Sequence, residues 1–177
     1  MKRTTKLAFA IAALISLSGC FGRTPVDDGF RDTSVPLTVT TRGTAADLAG
    51  PWHMRAHFPG DRSLALVTFI ENLNGAPAVE FLRSDCLLSG DCETSAEVWR
   101  SAPLGQNRYR LTNGSGDSFE LWVIWVDEGF RTAAIGTPDG SYGWVLDRKP
   151  TEGEDRIIAA REILSFNGYD TLRMIQK

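Results

Sequence analysis

The amino-acid sequence predicts an all-β domain, an eight-stranded antiparallel up-and-down barrel with one C-terminal helix packed outside it. Three observations carry this expectation. Turn signals recur at nearly even intervals between residues 59 and 140, several of the segments between them alternate with the period of a strand, and a helical pattern enters only after Pro150. The bulk properties agree with one domain. With 177 residues, 42% of them apolar and 23% charged, the chain has material for a core, and its net charge of −3 is too small for a disordered chain. No run of Lys and Arg follows the first six residues, so a phosphate backbone has no obvious partner here.

Residues 1–19 have the order of an export signal: Lys2, Arg3 and Lys6, then the apolar run from Leu7 to Leu17, then Ser18 and Gly19. Those eleven residues fall short of the about 20 that a spanning helix needs. The ending Leu17-Ser18-Gly19-Cys20 resembles the lipobox of bacterial lipoproteins, which implies acylation of the Cys20 thiol and anchoring in a membrane. Removal of 19 residues takes three basic side chains with it and leaves 158 residues at −6. Phe21 follows the cysteine in place of the aspartate linked with inner-membrane retention, so the resemblance implies the outer membrane, facing the periplasm. Residues 20–46, with Pro25, Pro36 and no sustained periodicity, read as the acylated tether, although Val35 to Val39 alternates enough to join the domain or plug one end of it. The barrel domain is expected over 47–177.

Seven turn signals divide that domain: Pro59-Gly60-Asp61, Asn74-Gly75, Ser89-Gly90-Asp91, Gly105-Gln106-Asn107, Asn113 to Asp117, Asp127-Glu128-Gly129 and Pro138-Asp139-Gly140. They bound eight segments rich in Val, Ile, Phe, Trp and Thr. The clearest runs from Trp52 to Phe58, with Trp52, Met54, Ala56 and Phe58 on one face and His53, Arg55 and His57 on the other. Short turns favour a meander closed on itself over a two-sheet sandwich, which would want longer crossovers. Cys86 and Cys92 enclose five residues and, in an oxidising compartment, form a disulfide that staples the loop. No tetrahedral metal set accompanies them.

The helix begins after Pro150. Thr151 and Glu154 have capping-box spacing, Ile157, Ala160 and Leu164 make one stripe, and Gly168 ends the turn. A last strand is expected from Thr171 to Gln176, with Leu172 and Met174 on one side.

At this point the chain resembles the lipocalins, in particular the bacterial outer-membrane lipocalins. Gly50-Pro51-Trp52 matches their G-x-W motif at the first strand, Thr137 to Tyr142 is similar to their T-D-Y turn region, and Arg148 matches the arginine that ends the eighth strand. The order of barrel, helix and extra strand also agrees. The resemblance implies that Arg148 packs over Trp52 and closes one barrel end, a contact worth about 0.5–2 kcal/mol. It further implies binding of a small hydrophobic ligand, a fatty acid or lysophospholipid, inside the barrel. The residues expected to line that site are Met54, Ala56 and Phe58 from the first strand and Tyr142 and Trp144 from the eighth. Trp122 is expected there with Ile124, or else Leu121 and Val123, since both faces of the sixth strand are apolar. Small residues Ala56, Ala133 and Gly143 would leave room for it.

An enzyme is a weaker reading, and no cofactor is implied. His53 and His57 lie four residues apart on one strand, about 13 Å, too far to share a metal, and on the face opposite Trp52. Asn113 to Asp117 lacks the lysine and following helix of a phosphate cradle, and no G-x-S-x-G elbow occurs. A third reading, an envelope protein that binds another protein or serves a structural role, draws on five tryptophans in a small domain.

Overall fold

A computed structural model of the chain describes residues 29–73, 76–86 and 90–177. The signal 1–19, Cys20, the first part of the tether and the turn residues Asn74, Gly75 and Ser89 lie outside the described residues. Eight antiparallel strands follow one another: β1 (Gly50–His57), β2 (Leu64–Leu73), β3 (Ala76–Cys86), β4 (Cys92–Gly105), β5 (Arg108–Thr112), β6 (Ser118–Val126), β7 (Thr132–Gly136) and β8 (Gly143–Asp147). Each pairs with the next, β8 returns to β1, and β1 also pairs with β2, so the sheet closes into the expected barrel. Closure leaves no long edge to protect. The β1–β2, β3–β4, β5–β6 and β7–β8 loops lie at one end, the mouth, and the other connections at the opposite end.

Bulges decide which side chains face inward, and those in β1 and β6 bear on the expected lining. Between Met54 and Ala56 the pairing with β8 shifts by one residue: Met54 stands opposite Leu146, but Ala56 stands opposite Val145. Arg55 is therefore an extra residue, and beyond it the alternation of β1 inverts. A second shift lies between Val123 and Trp125 in β6. The buried apolar residues form two clusters accordingly. One fills the barrel and contains Trp52, Met54, Val67, Phe81, Leu121, Val123, Trp144 and Leu146. The other lies outside the wall and contains Ala56, Phe58, Ile124, Ala134 and Val145 against Ile157, Ala160 and Leu164.

Those last three belong to α2 (Glu154–Phe166), which packs its apolar stripe on the barrel as expected. It starts later than the Thr151 capping box would place it. Arg55 Nη1 donates to the carbonyl of Glu152 at 2.7 Å, and Gly153 takes the N-cap position with φ 74°, so residues 149–153 are held in a turn and the helix begins beyond them. The last strand is shorter than expected. Thr171–Arg173 form a 3-10 turn, and only β9 (Ile175–Gln176) pairs, with Ala56 and His57 of β1. Leu172 and Met174 consequently part company, 94% and 8% exposed.

Much of the segment expected as a tether lies on the barrel. Phe30 N donates to Gly140 O (2.8 Å), Arg31 forms a β-bridge with Tyr169, and Thr40 N donates to Val123 O (3.0 Å). Phe30 and Leu37 pack on the outer cluster. Residues 29–42 thus run along the outside of the wall from the β7–β8 loop to the β4–β5 turn, where Asn107 Nδ2 donates to Thr40 O at 2.7 Å. A short helix follows, α1 (Ala45–Leu48), started by the Asp47 carboxylate, which accepts from the Thr44 N–H at 2.8 Å and hydroxyl at 2.9 Å. Sequence periodicity gave no sign of a helix this short.

Candidate functional site

One barrel end is closed. The indole of Trp52 is fully buried, its Nε1 donates to Leu48 O of α1 at 2.8 Å, and the Arg148 guanidinium lies 3.8 Å from the ring centroid. Arg148 Nη1 and Nη2 also donate to the carbonyls of Pro51 (3.1 Å) and Asp47 (3.2 Å). This arginine therefore ties β1, α1 and the end of β8 together. Gly50 fits the contact: its φ is +93°, and a Cβ there would fall 3.3 Å from Arg148 Nη1.

The mouth half of the barrel holds a continuous aromatic cluster. Ring centroids are separated by 5.1 Å for Trp99–Phe119, 5.3 Å for Phe119–Tyr142, 5.5 Å for Tyr142–Trp144 and 5.7 Å for Trp144–Phe81. Trp99, Phe119 and Tyr142 keep some exposure, so they form its outer layer. Beneath them, Trp144 Nε1 donates to the buried Asp61 carboxylate at 2.8 Å, and Arg83 Nη1 lies 3.8 Å from the same group. Burial, and then the negative charge of Asp61, push the Tyr142 hydroxyl pKa up.

A cavity of about 260 Å³ lies toward the opposite end, between α1 and strands β2 to β5, and is partly open to solvent beside Ala45, Glu71 and Pro77. Its walls include Phe69, Val79, Ser101 and Tyr109, whose strand positions face inward, with Ala45 of α1 beside them and Glu71 at an exposed position. It is mainly apolar, and the phenol of Tyr109 and the hydroxyl of Ser101 supply hydrogen-bonding groups. Burial raises the Tyr109 pKa, so the phenol stays a neutral donor.

The expected lining residues divide. Met54, Tyr142 and Trp144 lie in or against the interior cluster. Ala56 and Phe58 do not: the bulge at Arg55 turns both outward, where Phe58 stacks between Phe30 and Tyr169, with centroids 4.5 and 5.7 Å away. Trp122 also lies outside, under the Arg108 guanidinium at 5.3 Å, with Nε1 donating to Glu120 Oε2 at 3.1 Å. On β6 the inward face is Leu121 and Val123. Gly143 makes no room for ligand either, since a Cβ there would strike Phe58 on the outside at 2.7 Å. His57, expected on the outer face with His53, is inverted by the same bulge: it is buried, pairs with Trp144, and its Nδ1 donates to Phe58 O at 2.8 Å. The residues that sequence reading missed, Phe69, Val79, Phe81 and Tyr109, carried a usable signal in the alternation of β2, β3 and β5. Cys86 and Cys92 are bonded as expected. Among the described residues no group of three or more His, Cys, Asp or Glu could hold a metal ion, and no helix is long and apolar enough to cross a membrane.

A family model described as a lipocalin-like domain matches residues 109–177, from β5 to the C-terminus. Over these residues the chain is lipocalin-like. Among solved structures, the barrel is similar to lobster apocrustacyanin A1, with 12% identity and a TM-score of 0.53 over 75% of this chain and 77% of that one. Apocrustacyanin C1 gives 11% and 0.54 over 74% and 77%, and H1 crustacyanin from the lobster Homarus americanus gives 13% and 0.52 over 78% of each. At these identities the likeness is one of fold. The sequence matches none of the curated proteins.

Proposed function

We propose that this lipocalin-like barrel binds one small hydrophobic ligand, an acyl chain from a fatty acid or lysophospholipid, while held at a membrane by an acylated Cys20. The single observation that carries the binding is the cavity of about 260 Å³ beside α1, whose inward-facing walls include Phe69, Val79 and Tyr109. This volume is just under the about 300–1,000 Å³ usual for ligand sites. A short chain segment fits directly, whereas a long one enters by displacing the Trp99, Phe119 and Tyr142 layer at the mouth. The order of charge, apolar run, small residues and cysteine over residues 2–20 supports the anchor, and Phe21 supports the outer membrane, facing the periplasm, as the location. Storage, transport or maintenance of envelope lipid would follow from that placement.

The test is to purify the full chain, extract it with organic solvent and identify bound lipid by mass spectrometry. Fatty acid is then titrated into the delipidated protein while Trp emission is followed. Trp99 and Trp144 stand in the entry path, so binding is expected to change emission saturably at one equivalent. No co-purified lipid together with no saturable response would overturn the reading.

A further inference from the structure

The described chain begins at the mouth end of the barrel, beside the two most exposed large apolar side chains among the described residues. Gly29 lies against the β7–β8 loop, where a Cβ on it would fall 2.7 Å from Asp139 O. Phe30 N donates to Gly140 O at 2.8 Å, Asp170 N donates to Phe30 O at 2.9 Å, and the Arg173 guanidinium covers the Phe30 ring at 4.6 Å. The C-terminal end of α2 is at the same place: Arg31 Nε donates to Asn167 O and its Nη1 to Pro138 O of the same loop, both at 2.8 Å. Flanking this junction, Phe166 is 79% and Leu172 is 94% exposed. Both sit next to groups tied into the junction: Asn167 follows Phe166, and Arg161 Nη2 donates to Thr171 O at 3.0 Å.

From these observations we infer that Phe166 and Leu172 insert into the membrane surface, and that the barrel stands on the bilayer with its mouth end down. The inference rests on the lipid anchor proposed above. Nine chain steps lead from Cys20 to Gly29, and at about 3.3–3.6 Å per step they reach at most about 30 Å. The anchor leaves the fold at the mouth end, so an acylated Cys20 holds that end within this distance of the lipid. The opposite orientation would use most of the reach running back along the wall, since the eight residues of β1 alone span about 26 Å. It would also leave Phe166 and Leu172 in water. Arg161 and Arg173 lie beside the apolar pair, as do Asp32 and Asp170, so the contact is carried by apolar burial and not by net charge. A mouth held at the bilayer places the aromatic layer where a lipid ligand would leave or enter the membrane.

The test uses the lipidated full chain on vesicles of phosphatidylethanolamine and phosphatidylglycerol that carry a shallow nitroxide lipid. An environment-sensitive fluorophore is attached at Leu172→Cys or, as the control, at Leu104→Cys near the β4–β5 turn at the closed end. Quenching of at least twofold at position 172 and none at position 104 is expected. Vesicle flotation with quenching at 104, or at neither position, would overturn the orientation and leave the anchor intact. Concentration-dependent shielding of position 172 without vesicles would assign the patch to a second copy of the chain and overturn it too. Failure to float, with Cys20 unmodified by mass spectrometry, would remove the anchor reading and the orientation with it.

Discussion

Arg148 lies with its guanidinium 3.8 Å from the ring centroid of Trp52, joining the first strand of the barrel to the residue that leaves the eighth. The contact covers the indole face that would otherwise meet water, and two guanidinium nitrogens satisfy carbonyls of α1 and β1. Arg148→Ala is expected to lower stability by about 2–3 kcal/mol, the sum of one cation-π contact and the orphaned carbonyls. Trp emission should shift to the red. Unchanged denaturation midpoints and spectra would show that the pair does not close the barrel.

Asp147, at the end of β8, is fully buried and collects three partners. It accepts from Thr132 Oγ1 at 2.5 Å, Arg156 Nη2 at 3.2 Å and Lys149 N at 2.8 Å. Arg156 is largely buried too, so Asp147→Ala strands a cation at the start of α2. A loss of about 3–5 kcal/mol is expected. The double variant Asp147→Ala with Arg156→Met should recover part of it in chemical denaturation, and no recovery would mean that packing, not charge, holds this junction.

Tyr169 connects the C-terminal segment to the mouth. Its hydroxyl accepts from Thr137 N at 2.8 Å and has the carbonyls of Thr137 (3.0 Å) and Tyr142 (2.8 Å) as acceptors. Burial pushes its pKa from the ordinary 10 up to about 12. The folded state thus prefers the neutral phenol. The stabilisation is fully present below about pH 10, the unfolded value, and is lost as pH rises through the folded value near 12. Denaturant midpoints between pH 8 and 12 should fall for the native chain and fall less steeply for Tyr169→Phe. Equal slopes would exclude Tyr169 as the source.

Val79 faces the cavity from β3. Val79→Phe fills part of the 260 Å³ and is expected to weaken fatty acid binding at least tenfold, at a stability cost of about 1–3 kcal/mol for overpacking. Trp122→Phe, on the outer face, should leave binding unchanged. Titration of both variants separates this cavity from a site at the outer wall.

The disulfide between Cys86 and Cys92 joins the facing ends of β3 and β4 at the mouth. The closed loop is short, so its chain-entropy contribution is about 2 kcal/mol. Replacing both cysteines with serine should lower the denaturation midpoint by that amount, and reductant should have no further effect on the variant.

Much of this barrel was legible in the residues. Turn chemistry located the strands because Gly, Asn and Asp supply backbone conformations that strand residues resist. The interior positions of Met54, Tyr142 and Trp144 followed from simple alternation. Ala56, Phe58 and His57 did not, because alternation carries a face assignment only as far as the next bulge. The strap formed by residues 29–42 was legible only in the alternation of Val35 to Val39, for another reason: it is held by Arg31, Asn107 and Asn167 through backbone carbonyls and amides, contacts that leave no periodic trace.

The sequence by itself determined the meander of eight strands, the helix stripe and the cysteine pair, since each depends on local chemistry, whereas the Trp52–Arg148 closure was implied by the resemblance of two motifs far apart in the chain. Only the tertiary structure decided which side chains surround the cavity and where the N-terminal segment leaves the fold. Both depend on how strands of unequal length are brought into register around a closed sheet, a condition on all eight at once that no single segment encodes.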